Sequence, residues 1–264
     1  MARILITGSA DGLGLAAAQA LVARNHTVYL HARTPQRAAD AQSACPGAAG
    51  VLVADLTSIA ETRKLADEAN ALGRFDAVVH NAGLMSGPFR PTADTAVPSS
   101  VAVNVIAPYV LACLLTPPAR HIFISSTLHR QSNADSCGDV FWRARGEAKW
   151  ADFPAYCDSK LHVLLIANAL ARRQPQVSVS SVHPGWIATK LGGESAPDSI
   201  EDGVETYVML AEGDYDTSLT GKFWDPKRKM VDPLPIAADV DRQEEVVKAC
   251  KELTGLELPS ASKL

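Results

Sequence analysis

Tyr156 and Lys160 stand four residues apart in the stretch AYCDSK, residues 155–160. Residues at that spacing share one face of a helix. A lysine ammonium beside a phenol favours the phenolate, because a nearby cation lowers the phenol pKa. Such a pair can deliver a proton near neutral pH and is a candidate general acid. The same spacing also occurs on ordinary helix surfaces, so the two residues alone leave both readings open.

A second candidate site is the loop TGSADGLG, residues 7–14, between an apolar run and an Ala-rich stretch. Its glycines let backbone approach a pyrophosphate, and the helix that follows offers free N–H groups and positive dipole character. A glycine loop in that context predicts a dinucleotide site, with Thr7, Gly8, Ser9, Asp11, Gly12, Leu13 and Gly14 at the cofactor. NAD-binding chains commonly carry an acid about 20 residues past the glycines, to hold the ribose hydroxyls. Here that place, in LHARTPQR, holds Ala32 and Arg33, with Arg37 one turn later. A guanidinium can pair with a 2′-phosphate and stack on adenine. The expected cofactor is NADP(H) in preference to NAD(H).

These residues need elements to hold them. Short apolar runs at 3–7, 27–32, 50–54, 76–80, 121–125 and 177–182 read as parallel strands covered on both faces, and GKFW at 221–224 reads as a seventh strand on the far edge. Helical patterns lie between them: 14–24, 35–44, 58–72, 99–115 and 154–173, with a last helix at 241–255 that stops at Gly255. The alternation predicts an α/β fold, a Rossmann-type doubly wound parallel sheet of about seven strands with helices on both faces. One domain over 1–264 is the economical reading. Segments 127–153 and 184–200 break the rhythm. Both fall at the carboxyl edge of the sheet, where open α/β folds bind ligands.

In this order the motifs resemble the short-chain dehydrogenase/reductase family in its compact single-domain form, over nearly the whole chain. The T-G-x-x-x-G-x-G loop is at 7–14, and an Asp-Leu pair follows the third strand at Asp55–Leu56. The family's N-N-A-G appears as HNAG, Asn81, Ala82 and Gly83, with His80 replacing the first Asn. Asn104 stands in the fourth helix, Ser126 closes the fifth strand, and Tyr156 and Lys160 form Y-x-x-x-K. Pro184, Gly185, Ile187 and Thr189 complete P-G-x-I-x-T. The resemblance implies that Tyr156 protonates a carbonyl oxygen as hydride reaches carbon. It implies that Lys160 binds the nicotinamide ribose and lowers the Tyr156 pKa, and that Ser126 holds the carbonyl oxygen. It places a water on Asn104, the nicotinamide carboxamide on Thr189, and Asp55–Leu56 near adenine. No metal is required.

Ser126 and Tyr156 are 30 positions apart, and the insertion at about 127–153 resembles that of retinol-dehydrogenase-like and carbonyl-reductase-like members. Its aromatics, Phe141, Trp142, Trp150 and Phe153, either line a lipophilic pocket or form the small core of an excursion packed on the helix. The loop at about 186–200 suggests a short substrate loop and an open pocket. The insertion can also cover the helix pair around Asn104 and Tyr156 through which family members usually dimerise, so homodimer and monomer both stay open. The expected activity is NADPH-dependent reduction of a ketone or aldehyde of a lipophilic or aromatic small molecule, or the reverse alcohol oxidation. A redox-sensing NADP-binding protein and an enzyme acting on a C=C bond are the alternatives.

A net charge of −4 argues against a nucleic-acid partner. No apolar run reaches the ~18 residues of a membrane span. Five scattered cysteines without a C-x-x-C pair read as reduced thiols. MARILITG lacks the features of a signal peptide, so a cytoplasmic chain is expected. Ser262, Lys263 and Leu264 give the alternative, a peroxisomal address in a eukaryote. The scattered histidines read as structural or solvated, with His129, nearest Ser126, the one worth a mutant.

Overall fold

The computed structural model describes residues 1–85, 87–189 and 191–261. Strands and helices alternate as β1 (Arg3–Ile6), α1 (Gly12–Ala23), β2 (Thr27–Ala32), α2 (Pro35–Ala44), β3 (Gly50–Val53), α3 (Ile59–Ala71) and β4 (Ala77–His80). A single turn α4 (Ser99–Val101) then runs through a π-helical segment, Ala102–Ile106, into α5 (Ala107–Leu114) and β5 (Arg120–Ile124). The catalytic-side elements follow: α6 (Asp152–Arg173), β6 (Ser178–Val182), α7 (Ile200–Glu212), β7 (Lys222–Asp225), β8 (Lys229–Val231) and α8 (Val240–Thr254).

All eight strands form one sheet in the order β3-β2-β1-β4-β5-β6-β7-β8, parallel except for β8. β1 is hydrogen-bonded to both β2 and β4, so the chain switches direction there and leaves a crevice at the carboxyl ends. β4 and β6 are buried at every residue, as strands covered on both faces must be. The helices start where side chains satisfy free N–H groups. Thr34 accepts from Arg37 N, Ser58 from Glu61 N, Ser199 from Asp202 N, and Asp239 from Asp241 N and Arg242 N. Gly255, at φ +69°, ends α8 as expected.

Three differences from the expectation matter. The sheet has an eighth strand, antiparallel on β7. Its KMV sequence carries no apolar run, and its hairpin turns through Lys227 and Arg228 at positive φ without a Gly or Asn to signal it. The segment after 200 is a full helix, α7, whose Gly203 obscures the pattern. That glycine is required by packing, since a Cβ there would lie 2.5 Å from Ile187 Cδ1 and 2.6 Å from Pro184 O. Finally, the helix expected over 99–115 is broken by the π segment, with Asn104 in its middle. Among the described residues no helix is long and apolar enough to cross a membrane, and Ser262–Lys263–Leu264 lies outside the described residues.

Candidate active site

The glycine loop is tied down from three sides. Gly8 sits at φ +61°, and a Cβ on it would lie 2.7 Å from Ala82 Cα. That close approach brings HNAG against the loop. Thr7 Oγ1 accepts from Ala82 N at 3.1 Å. Asn81 Nδ2 donates to Thr7 O at 2.9 Å and Gly8 O at 3.0 Å. With its amide nitrogen so used, Asn81 Oδ1 must accept, and Tyr207 OH on α7 donates to it at 3.4 Å. From the other side, His31 Nδ1 accepts from Gly8 N at 2.9 Å, which puts the ring proton on Nε2, 3.0 Å from Ala54 O. Burial pushes the His31 pKa down to about 4, so the ring is neutral. Ser9 Oγ accepts from His31 N and donates to Ile6 O. His31 and Tyr207 are positioning residues that no spacing in the sequence marks.

At the end of β2 the two expected cations differ. Arg33 is exposed and has no hydrogen-bond or ionic partner among the described residues. Arg37 reaches across the loop to Asp11, Nη2 to Oδ2 at 2.7 Å. At the end of β3, Asp55 Oδ1 accepts from Thr57 N and Oγ1 at 2.9 and 2.8 Å, and Leu56 is buried. Leu13 packs near α7, 3.3 Å from where a Gly203 Cβ would be. Gly12 faces Thr189, whose Cγ2 lies 3.5 Å from an ideal Cβ there. The segment after β6 is itself built: Trp186 N donates to Asp198 Oδ2 at 2.6 Å, beside Pro184 and Gly185, and Ile187 bridges to Asp198. Thr189 Oγ1 accepts from Gly192 N at 3.2 Å.

On the other side of the crevice, β5 and α6 are laced together. Lys160 Nζ donates to Ile124 O at 2.8 Å, and Ser125 Oγ donates to Lys160 O at 2.7 Å. Lys160 Nζ stands 5.3 Å from the Tyr156 ring centroid. Ser126 opens the turn after β5, its Oγ accepting from Leu128 N at 3.2 Å, and it lies near enough to Tyr156 to lower the phenol pKa. Asn104 spends its amide on structure: Oδ1 accepts from Leu84 N, and Nδ2 donates to Leu84 O and to Ser159 Oγ, at 2.8, 2.8 and 2.9 Å. Ser159 Oγ in turn donates to Tyr156 O at 2.7 Å. A Cβ on Gly83 would lie 3.5 Å from Asn104 Oδ1 and 3.6 Å from Lys160 Nζ, so the three meet at one point.

Burial pushes the Tyr156 pKa up to about 12, and Ser126 only partly offsets this. Burial also depresses Lys160, to about 8.

A family model for short chain dehydrogenases matches residues 2–136. Short-chain dehydrogenase chry4 of Gibberella zeae is 61% identical over 98% of this chain and 100% of that protein. The chain belongs to the short-chain dehydrogenase family. It is therefore an oxidoreductase, and this family binds nicotinamide cofactors. Short-chain dehydrogenase chyC of Penicillium rubens is 62% identical over the same shares. The crystal structure of a Mycobacterium paratuberculosis protein superposes with a TM-score of 0.83 at 25% identity, covering 98% of this chain and 95% of that one.

Within this short-chain dehydrogenase the insertion splits its aromatics. Phe141 and Trp142 are buried in a core shared with α5, α6 and α8. Trp150 packs edge-on against Trp142 and Phe89, and its Nε1 donates to Gly87 O at 3.1 Å. Phe153 is exposed, in the first turn of α6. The small-core reading holds for Phe141 and Trp142.

Proposed function

We propose that the chain is an NADPH-dependent reductase of a ketone or aldehyde on a lipophilic or aromatic small molecule, or runs the reverse alcohol oxidation. The observation that carries this reading is the convergence of Ser126, Tyr156, Lys160 and Asn104 at one end of the crevice, with the glycine loop and unpaired Arg33 at the other. The residues fit a phosphorylated dinucleotide: the loop opens a helix N-terminus, the end of β2 carries no acid, and Arg33 has no competing partner.

The bound cofactor supplies hydride. Tyr156 donates its proton to the substrate oxygen as charge develops there. The Ser126 hydroxyl, oriented by Leu128 N, donates a hydrogen bond to the same oxygen, and that bond strengthens as the oxygen becomes negative. Lys160, already within reach of Gly83, holds the ribose and offers its positive charge to the phenol. Asn104 acts by holding its neighbours. It fixes Leu84 after HNAG and, through Ser159, the backbone of Tyr156.

The substrate class rests on the rim. Leu84, Phe153, Trp186 and Leu191 are exposed large apolar side chains on the segments that flank the crevice. We read the chain as one domain in a reducing compartment such as the cytoplasm. The test follows NADPH and NADH oxidation by absorbance across aromatic, aliphatic and quinone carbonyls, with Tyr156→Phe as control. Turnover with NADPH that vanishes in Tyr156→Phe is expected. Tight NADPH binding with no turnover of any carbonyl would favour a sensor instead.

A further inference from the structure

His129 lies three residues past Ser126, fully buried, with its ring edge against Phe223 at 5.0 Å. Both ring nitrogens are used. Nδ1 meets Ser126 O at 2.5 Å, and Nε2 accepts from Leu234 N at 3.0 Å. A carbonyl can only accept and a backbone N–H can only donate. The ring is therefore one neutral tautomer with its proton on Nδ1. Burial, which depresses its pKa, favours that neutral form. The ring spans from the catalytic-side turn to the segment before α8, and that segment is fixed in turn. Asn168 Nδ2 and Gln243 Nε2 both donate to Ala237 O, at 2.8 and 2.9 Å.

We propose that His129 is a positioning residue for Ser126: its imidazole ties the Ser126 carbonyl to the Leu234 backbone and so fixes where the Ser126 hydroxyl meets the substrate oxygen. This rests on the reading of Ser126 given above. Ser126 O also accepts from His129 N at 3.1 Å and Arg130 donates to Asp232 O, so the turn over Thr127–Gln131 keeps its fold without the imidazole. The imidazole bond to Leu234 N sets where Ser126 sits within it, and the bond from Leu128 N sets the aim of the hydroxyl.

Leu234 offers a second test from the partner side. Its φ of −57° and ψ of 134° are open to proline, but the proline ring would take the place of the N–H and displace the His129 imidazole. Leu234→Pro removes the N–H that holds His129 Nε2, and Leu234→Ala controls for the lost side chain. His129→Leu removes both bonds, whereas His129→Asn keeps a short-range donor for Ser126 O. Turnover, the NADPH dissociation constant from fluorescence and the melting temperature are measured for each.

A displaced reacting group can cost about 100-fold, so His129→Leu is expected to lower kcat about 10–100-fold with the NADPH dissociation constant unchanged. His129→Asn should recover part of the loss. Leu234→Pro should fall several-fold below Leu234→Ala in kcat. In a Ser126→Ala background, His129→Leu should cost less than about 3-fold more, because coupled residues are non-additive. If His129→Leu fails to fold, the Leu234 pair decides alone. Equal kcat in Leu234→Pro and Leu234→Ala, or fully additive losses with Ser126→Ala, would overturn the proposal. A Ser126→Ala variant with unchanged kcat would instead overturn the reading of Ser126 itself.

Discussion

Lys160 shows what a functional residue costs its fold. It is buried, and burial depresses its pKa from 10.5 to about 8. A lysine whose folded pKa lies below its unfolded one binds fewer protons when folded. Its charge therefore opposes folding below pH 8, and that penalty is relieved as pH rises from about 8 towards 10.5. Lys160→Met is expected to raise the melting temperature of the ligand-free protein near pH 7 by about 2–4 °C while abolishing turnover. The gain should shrink between pH 8 and 10. A lower melting temperature at pH 7 would mean that the bond to Ile124 O outweighs desolvation. At the other end of the crevice the two arginines separate the same way. Arg33 has no partner to leave, whereas Arg37 must release Asp11. Arg33→Ala should weaken NADPH about 10-fold or more and NADH little, since a charge-assisted bond is worth about 1.5–3 kcal/mol. Arg37→Ala should do less. Equal losses for both cofactors in Arg33→Ala would discredit its 2′-phosphate role.

At the scale of elements, the motif-bearing turns were legible in the sequence because glycine, serine and Y-x-x-x-K chemistry is local. The first six strands were legible because each is a short apolar run. What stayed hidden depends on contacts distant in sequence. α7 carries Gly203 because Pro184 and Ile187 press against it, and its Tyr207 orients Asn81, 126 positions away. The π segment around Asn104 has an ordinary apolar sequence, AVNVI. The insertion is the largest such case. Asp158, between Tyr156 and Lys160 on α6, accepts from Ser132 Oγ at 2.6 Å and pairs with Arg145 at 2.7 Å. Arg145 also pairs with Asp139 at 3.1 Å and lies over the Trp142 ring at 3.6 Å. This clamp makes the insertion a fixed wall. Removing one partner leaves the other's charge poorly paired, a loss that is large when buried and smaller when part-exposed. Arg145→Ala should therefore cost about 2–4 kcal/mol in denaturant unfolding and speed proteolysis within 127–153. A loss below about 1 kcal/mol would mark the pair as a surface contact.

For the whole molecule, the face of α5 and α6 through which the family resemblance implies dimerisation is covered by this chain itself. Tyr109, Leu161 and Leu165 share one core with Val246, Val247 and Cys250 of α8 and with Trp142 of the insertion. Tyr109 OH donates to Leu256 O at 2.9 Å, and Arg63 Nη2 to Thr254 O at 2.6 Å, closing the C-terminal segment over that core. A monomer is expected by light scattering, and a dimer mass would show that another face associates.

The same buried interior sets the response to acid. His31, His80, His121 and His162 are all buried, and burial lowers each pKa: to about 4 for His31 and His162, to about 3 for His121, and well below normal for His80. His31 Nδ1 accepts from Gly8 N, which requires a neutral ring. His80 Nε2 and His121 Nδ1 lie 3.0 Å apart, so the one that accepts is neutral. In the unfolded chain each would take a proton near pH 6.5. The folded state thus binds fewer protons between pH 6.5 and about 4, and stability, intact above 6.5, falls through that window by up to about 1.4 kcal/mol per pH unit for each ring. Asp139, whose pKa is lowered by hydrogen bonds from Ala144 N and Arg145, and Glu244, lowered by Arg172 and Arg173, act in the same direction but only from the carboxylate range downward. His80→Asn, the residue the family carries there, isolates one contribution. It should destabilise at pH 7.5, where the neutral pair is intact. That deficit should shrink at pH 5, where the wild-type chain carries the cost of an uncharged His80 and the variant does not. Urea unfolding at the two pH values measures it, and a deficit that does not change with pH would remove His80 from the acid response.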